Sequence, residues 1–165
     1  MQGNEGDDKL DGGTGNDNVD AGAGNDSVEG GVGNDVLFGN AGNDALFGGD
    51  GADTLQGGAG NDRLQGQSGN DKLQGQGGDD RFVLELSTGA TTDTILDFGD
   101  SSGNQDIIDL SAVVKGITAS SFAAWKSSNV KQSGANVDIG YSDDHLILNN
   151  VQASILDYAD FSFAA

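Results

Sequence analysis

An aspartate stands at every ninth position from Asp8 to Asp80: Asp8, Asp17, Asp26, Asp35, Asp44, Asp53, Asp62, Asp71 and Asp80. Carboxylates can serve as acids and bases, as nucleophiles, or as ligands of hard cations. The residues around them decide which. The chain has one histidine, His145, and no cysteine, so there are no thiolate metal sites or disulfides. An all-oxygen donor set favours calcium over zinc or copper. Magnesium fits less well, because it resists dehydration and demands a rigid octahedron. H-E-x-x-H is absent, and the one G-x-S-x-G match, GDSSG at residues 99–103, lies in an acidic loop, whereas nucleophilic hydrolysis needs that serine on a strand-to-helix elbow and zinc hydrolysis needs the paired histidines. His145 opens an apolar stretch and reads as a surface or strand-end residue, so the chain is expected not to be an enzyme.

The acids need an element that repeats with them. From Gly3 to Val83 the chain is nine uninterrupted nonapeptides, among them GGTGNDNVD, GGVGNDVLF and GGAGNDRLQ. In every copy position four is glycine, position six aspartate and position eight apolar: Leu10, Val19, Val28, Leu37, Leu46, Leu55, Leu64, Leu73 and Phe82. A period this tight means a solenoid. The spacing predicts a three-residue strand at positions seven to nine, with position eight turned inward. Positions one to six then form the turn, where glycine at one, two and four allows positive φ and close approach. Gln67 and Gln76 replace glycine at position two and predict altered turns late in the array. Asn4 and Asn40 are milder replacements, since asparagine tolerates left-handed backbone. Ala21 breaks position one.

If each copy is half a coil, alternate copies share a sheet. Aspartates two copies apart then stack at roughly the 4.8 Å strand spacing. The pairs are 8/26, 26/44, 44/62 and 62/80 on one edge, and 17/35, 35/53 and 53/71 on the other. A calcium ion binds oxygens at about 2.3–2.6 Å and could take a carboxylate from each of two stacked loops. Main-chain carbonyls of the loop glycines Gly12, Gly30, Gly39, Gly48, Gly57 and Gly66 would complete the shell. This count gives about seven full sites. Nine inward side chains are too few to offset the ordering of so glycine-rich a ribbon, and its acids repel one another. The metal-free array is therefore expected to be unfolded.

Charge points the same way. The 165 residues carry 7 Lys and Arg against 27 Asp and Glu, a formal charge of −20. That excludes a nucleic-acid binder built on basic patches and argues against anionic membranes. No stretch approaches the roughly 18 apolar residues of a membrane span. The opening MQGNEGDDKLDGG has no signal-peptide apolar core. Together with the lack of an active site, the start at Met1 predicts a fragment excised from the C-terminal part of a larger protein.

The nonapeptide resembles the G-G-x-G-x-D-x-U-x repeat of the RTX (repeats-in-toxin) family, over residues 3–83. The resemblance implies a parallel β-roll in an all-β chain and calcium as the bound metal. It also implies export through a type I secretion apparatus, with folding delayed until calcium is met outside the cell. The protein would then be a secreted, extracellular product of a Gram-negative-type bacterium, and the roll would stabilise an upstream effector domain.

From Leu84 the composition turns ordinary, and residues 84–165 read as a β-rich cap with one short helix. TTDTILDF (91–98), DIIDLS (106–111) and HLILNNV (145–151) read as strands. TASSFAAWKSS (118–128) reads as a helix with Thr118 as N-cap, and NVKQSGANVDIGY as a hairpin. The order D-x-I-x-D-F, D-x-I-D-L-S, hairpin, apolar strand and D-F-x-F resembles the C-termini of RTX proteases, lipases and alginate-epimerase R-modules. By that resemblance Asp157, Tyr158, Asp160, Phe161 and Phe163 fall in the secretion-signal region. An acidic loop holding Asp97, Asp100 and Asp106 is a candidate further calcium site. Trp125 reads as a core anchor between cap and roll. Phe38 and Phe47 sit at an outward position, under a flanking segment or partner domain, and Gln56 and Gln74 form an outward polar row. An alternative function is binding of an anionic, alginate-like polysaccharide, for which Arg63, Lys72 and Arg81 are the candidate basic contacts.

Overall fold

Position eight of each nonapeptide points inward and position nine outward, as a strand requires, and this alternation runs on into the next copy. The computed structural model describes residues 1–85, 90–99, 105–112, 120–141 and 144–163. Its repeat strands span six residues rather than the predicted three: β2 (Lys9–Thr14), β3 (Asn18–Ala23), β4 (Ser27–Val32), β5 (Val36–Ala41), β6 (Ala45–Asp50), β7 (Thr54–Ala59), β8 (Arg63–Ser68) and β9 (Lys72–Gly77). Shorter strands, β1 (Gln2–Glu5) and β10 (Arg81–Val83), stand at the two ends of the array. Each six-residue strand takes in positions seven to nine and the first three of the next copy. Only positions four to six are left as the turn.

Odd- and even-numbered strands form two parallel sheets, in the order β1-β3-β5-β7-β9 and β10-β8-β6-β4-β2. The result is a parallel β-solenoid of about five turns, as the period predicts. Register locks Val19, Leu37, Leu55 and Leu73 into one inner column, and Leu10, Val28, Leu46, Leu64 and Phe82 into the other. All of these but Leu10 are buried. A one-residue slip would turn a whole column outward, so the pattern fixes the register.

The columns continue past the array. β11 (Thr92–Ile95) pairs β9 and sets Ile95 on Leu73, and β12 (Ile107–Asp109) pairs β10 and sets Ile108 on Phe82. β15 (Asp144–Leu148) then adds Leu148 to Ile95, and β16 (Phe161–Ser162) adds Phe161 to Ile108. A hairpin of β13 (Val130–Ser133) and β14 (Asn136–Tyr141) closes the first sheet antiparallel. The strands and hairpin predicted from Leu84 onward thus form, as extensions of the same two sheets.

Helix α1 (Phe122–Asn129) begins four residues later than its predicted start. Ser121 precedes it without a side-chain cap hydrogen bond; Thr118 lies outside the described residues. The helix presents Phe122 and Trp125 to Phe161 and Phe163, with ring centroids 5.2–6.3 Å apart. Trp125 packs against the buried cluster that spans cap and roll. This aromatic patch covers an end of the roll that would otherwise expose apolar surface.

Candidate metal centre

The turn needs glycine at two positions for its dihedrals and at a third for space. Positions two and four have positive φ, as at Gly13 (90°) and Gly15 (117°). Position-one glycines do not appear among the positive-φ residues, contrary to the sequence expectation. There a Cβ would collide with oxygen. One added at Gly48 would lie 2.4 Å from Asp53 Oδ2 and 2.6 Å from the Gly66 carbonyl oxygen. The same carboxylate–carbonyl pair surrounds Gly30 and Gly39. Gln67 and Gln76 adopt φ of 69° and 70°, close to the 74° of Asn40. The late turns are therefore not altered; the glutamines take the left-handed backbone at some cost in strain.

Stacked turns are tied by two side-chain ladders that run in opposite directions. The aspartate at position six accepts the backbone N–H of the aspartate two copies before it. Asp26 Oδ1 takes Asp8 N–H, Asp44 takes Asp26, Asp62 takes Asp44 and Asp80 takes Asp62, each at 2.8 Å. On the other edge Asp35, Asp53 and Asp71 accept from Asp17, Asp35 and Asp53 at 2.8–2.9 Å. The residue at position five does the reverse and accepts from two copies after it: Asn16 from Asn34, Asn25 from Asn43, Asn43 from Asn61. This second ladder is not foreseen in the sequence analysis. Its signal was the frequency of Asn at position five.

From Asp26 to Asp80 each repeat aspartate spends one oxygen on the ladder. The other, Oδ2, is buried and has no hydrogen-bond partner in Asp8, Asp17, Asp26, Asp35, Asp44, Asp53, Asp62, Asp71 and Asp80 alike. Leaving a charged acceptor dehydrated and unpaired is costly. Desolvation pushes the carboxyls of Asp53 and Asp62 up to about 6 and that of Asp80 to about 7, against an ordinary value of 3.8. Donation from the neighbouring aspartate N–H lowers each in part, and the stacked carboxylates raise them again. Two buried carboxylates per step, with a loop carbonyl converging on the same point, are the hard oxygen donors that calcium prefers. Among the described residues no three acidic or histidine side chains converge as a metal cluster, so carbonyl oxygens must make up such a shell. The residues present fit calcium.

The predicted acidic loop site does not assemble in the same way. Both oxygens of Asp97 are engaged, accepting the N–H groups of Gly75 and Gln76 at 3.0 and 2.9 Å. Asp106 accepts from Asp80 and Gly99 at 3.0 and 2.8 Å. Asp100 lies outside the described residues. Asp97 and Asp106 instead cap backbone left open by the last repeats. Sequence reasoning missed Asp93 and Asp144, which are buried on the opposite edge, because neither belongs to a nonapeptide.

The remaining candidates are dispersed. Arg63 and Arg81 neighbour each other on the even sheet, while Lys72 is on the odd one. Arg81 is paired with Asp109 at 2.8 Å, and Arg63 stands over the Phe47 ring at 5.1 Å. Phe47 is thus covered by a side chain of its own sheet and not by a flanking segment. Phe38 lines an open groove with Asn40, Gln56 and Gln76. Gln56 reaches Gln74 at 3.5 Å, the outward row the sequence suggested. Asp157 and Asp160 form a reciprocal capping box on the short 3-10 turn Tyr158–Asp160, and Phe161 and Phe163 join the aromatic patch. His145 Nδ1 lies 2.8 Å from Asp138 on the adjacent strand. No described helix is long and apolar enough to cross a membrane.

A parallel β-roll whose turns line up dehydrated carboxylates defines a calcium-binding nonapeptide solenoid. The family model of the RTX calcium-binding nonapeptide repeat matches residues 1–28, 20–55, 47–82 and 56–95, more than half of the chain, which therefore belongs to that family. Repeats of this family bind calcium. The R3 subunit (AlgE6R3) of the Azotobacter vinelandii mannuronan C5-epimerase superposes with a TM-score of 0.51 at 28% identity, covering 94% of this chain and 80% of that one. The extracellular lipase LipA of Serratia marcescens gives a TM-score of 0.55 at 18% identity, covering 99% of this chain and 38% of the lipase; at that identity it speaks for the fold alone. No curated protein matches the chain in sequence.

Proposed function

We propose that this chain is a non-catalytic calcium-binding module that stays unfolded at low calcium and folds outside the cell. There it supports type I secretion and stabilises an upstream effector domain. The observation that carries the reading is the set of nine buried carboxylate oxygens without a partner. They make the metal-free fold unfavourable and give about seven ions a place between stacked turns. A four-decade rise in free calcium between cytoplasm and exterior is worth at most about 5.5 kcal/mol per site by mass action, so several sites together act as a switch.

Circular dichroism during calcium titration tests this. The expected result is a cooperative coil-to-β transition that shifts to higher calcium in Asp44→Ala and further in a double variant with Asp53→Ala. Equal β-content in excess chelator would sink the proposal. Polysaccharide binding lacks the assembled basic groove it needs, since Arg81 is already paired and Lys72 lies on the other sheet.

A further inference from the structure

The aspartate ladder does not stop with the nonapeptides. Thr92 N–H donates to Asn70 Oδ1 at 2.7 Å, Asp71 N–H to Asp93 Oδ1 at 3.1 Å, and Thr94 N–H to the Asp71 carbonyl at 2.8 Å. Residues 92–96 thus take positions five to nine of a further coil, although the acids are 22 residues apart instead of 18. The coil has the aspartate of a repeat, with Thr91 where a repeat has its position-four glycine.

We propose that Asp71 and Asp93 hold one more divalent cation of the calcium class, at the junction of roll and cap. The proposal rests on the reading that the repeat turns bind calcium. Asp71 is 1% exposed and keeps one carboxylate oxygen buried without a partner. Asp93 is 7% exposed, and its carboxyl lies against that of Asp71. Among the described residues no lysine, arginine or histidine comes within ion-pair distance of either. Two neighbouring carboxylates shut away from water need a counter-charge between them.

The matching step on the other edge is different. Both Asp106 oxygens accept backbone N–H groups, those of Asp80 and Gly99, so that carboxylate is already satisfied. The asymmetry places the added site on one edge only. Because β11 also pairs β15, an ion there would clamp the cap strands to the last repeat.

The test counts ions by native mass spectrometry on the whole chain and on Asp93→Asn, which keeps the Oδ1 acceptor but loses the charge. The variant should bind one calcium fewer at saturation, with unchanged far-UV circular dichroism. It should also need about tenfold more calcium to reach the cap-docked Trp125 emission. An unchanged ion count in Asp93→Asn overturns the proposal. If the parent chain binds no calcium at all, the broader reading fails instead. Should the variant not fold, anomalous scattering from crystals of the parent grown in calcium decides. A peak between Asp71 and Asp93 supports the site, and peaks confined to the repeat turns overturn it.

Discussion

A single methyl group at position one crowds the carboxylate of its turn, although beside Ala21 the acid Asp26 still accepts Asp8 N–H at 2.8 Å. At Gly66 a Cβ would stand 2.1 Å from Asp71 Oδ2, so Gly66→Ala should shift that acid within its seat. The expected result is a higher calcium midpoint, read by circular dichroism. Ala21 already carries such a methyl, fully buried, near the start of the array. At position five the natural exception is Ala52. It donates its N–H to Asn34 but has no side chain to accept from Asn70 in turn. Ala52→Asn should extend the asparagine ladder and stabilise the calcium-bound fold by about 0.5–1 kcal/mol, measured as a shift in the urea midpoint.

At the scale of the element, the nine-residue period made the roll legible before any coordinates, and it set both inner columns from position eight alone. It did not reveal strand length. Glycine pairs at positions one and two read as turn, yet one glycine clears space inside a strand while the other bends it through left-handed backbone. Those two roles look alike in a sequence. The metal edge was half legible. Aspartates in period were plain, whereas Asp93 joins the ladder across a spacing of 22 residues that the nine-residue period does not foresee. Asp97 looked like a ligand because acidic loops favour cations, but its oxygens are already spent on Gly75 and Gln76. Gln67 and Gln76 make a test of the strand account, since non-glycine left-handed residues cost of order 1 kcal/mol or more. Gln67→Gly with Gln76→Gly should lower the calcium midpoint modestly, despite the added freedom of the unfolded chain.

The whole molecule should answer to pH in opposite senses with and without metal. Carboxyls held near 6–7 in the fold but near 3.8 when unfolded stabilise it fully below the lower value. That contribution is lost as pH rises through the higher one. In chelator, acidifying from about pH 8 to about pH 5 should therefore restore β-structure. In calcium, protons compete for the same oxygens, so the midpoint should move to higher calcium as pH falls through the same range. Spectra at fixed pH steps check both. The two opposed ladders also give the roll a grain. Every aspartate amide is held by a later coil, so the last two repeats borrow their acceptors from Asp93 and Asp106. Loosening the cap would strip protection first from the amides of Asp71 and Asp80, and the damage would unzip toward residue 1. Removing the opening strand would spare every one of those amides, because none relies on anything upstream.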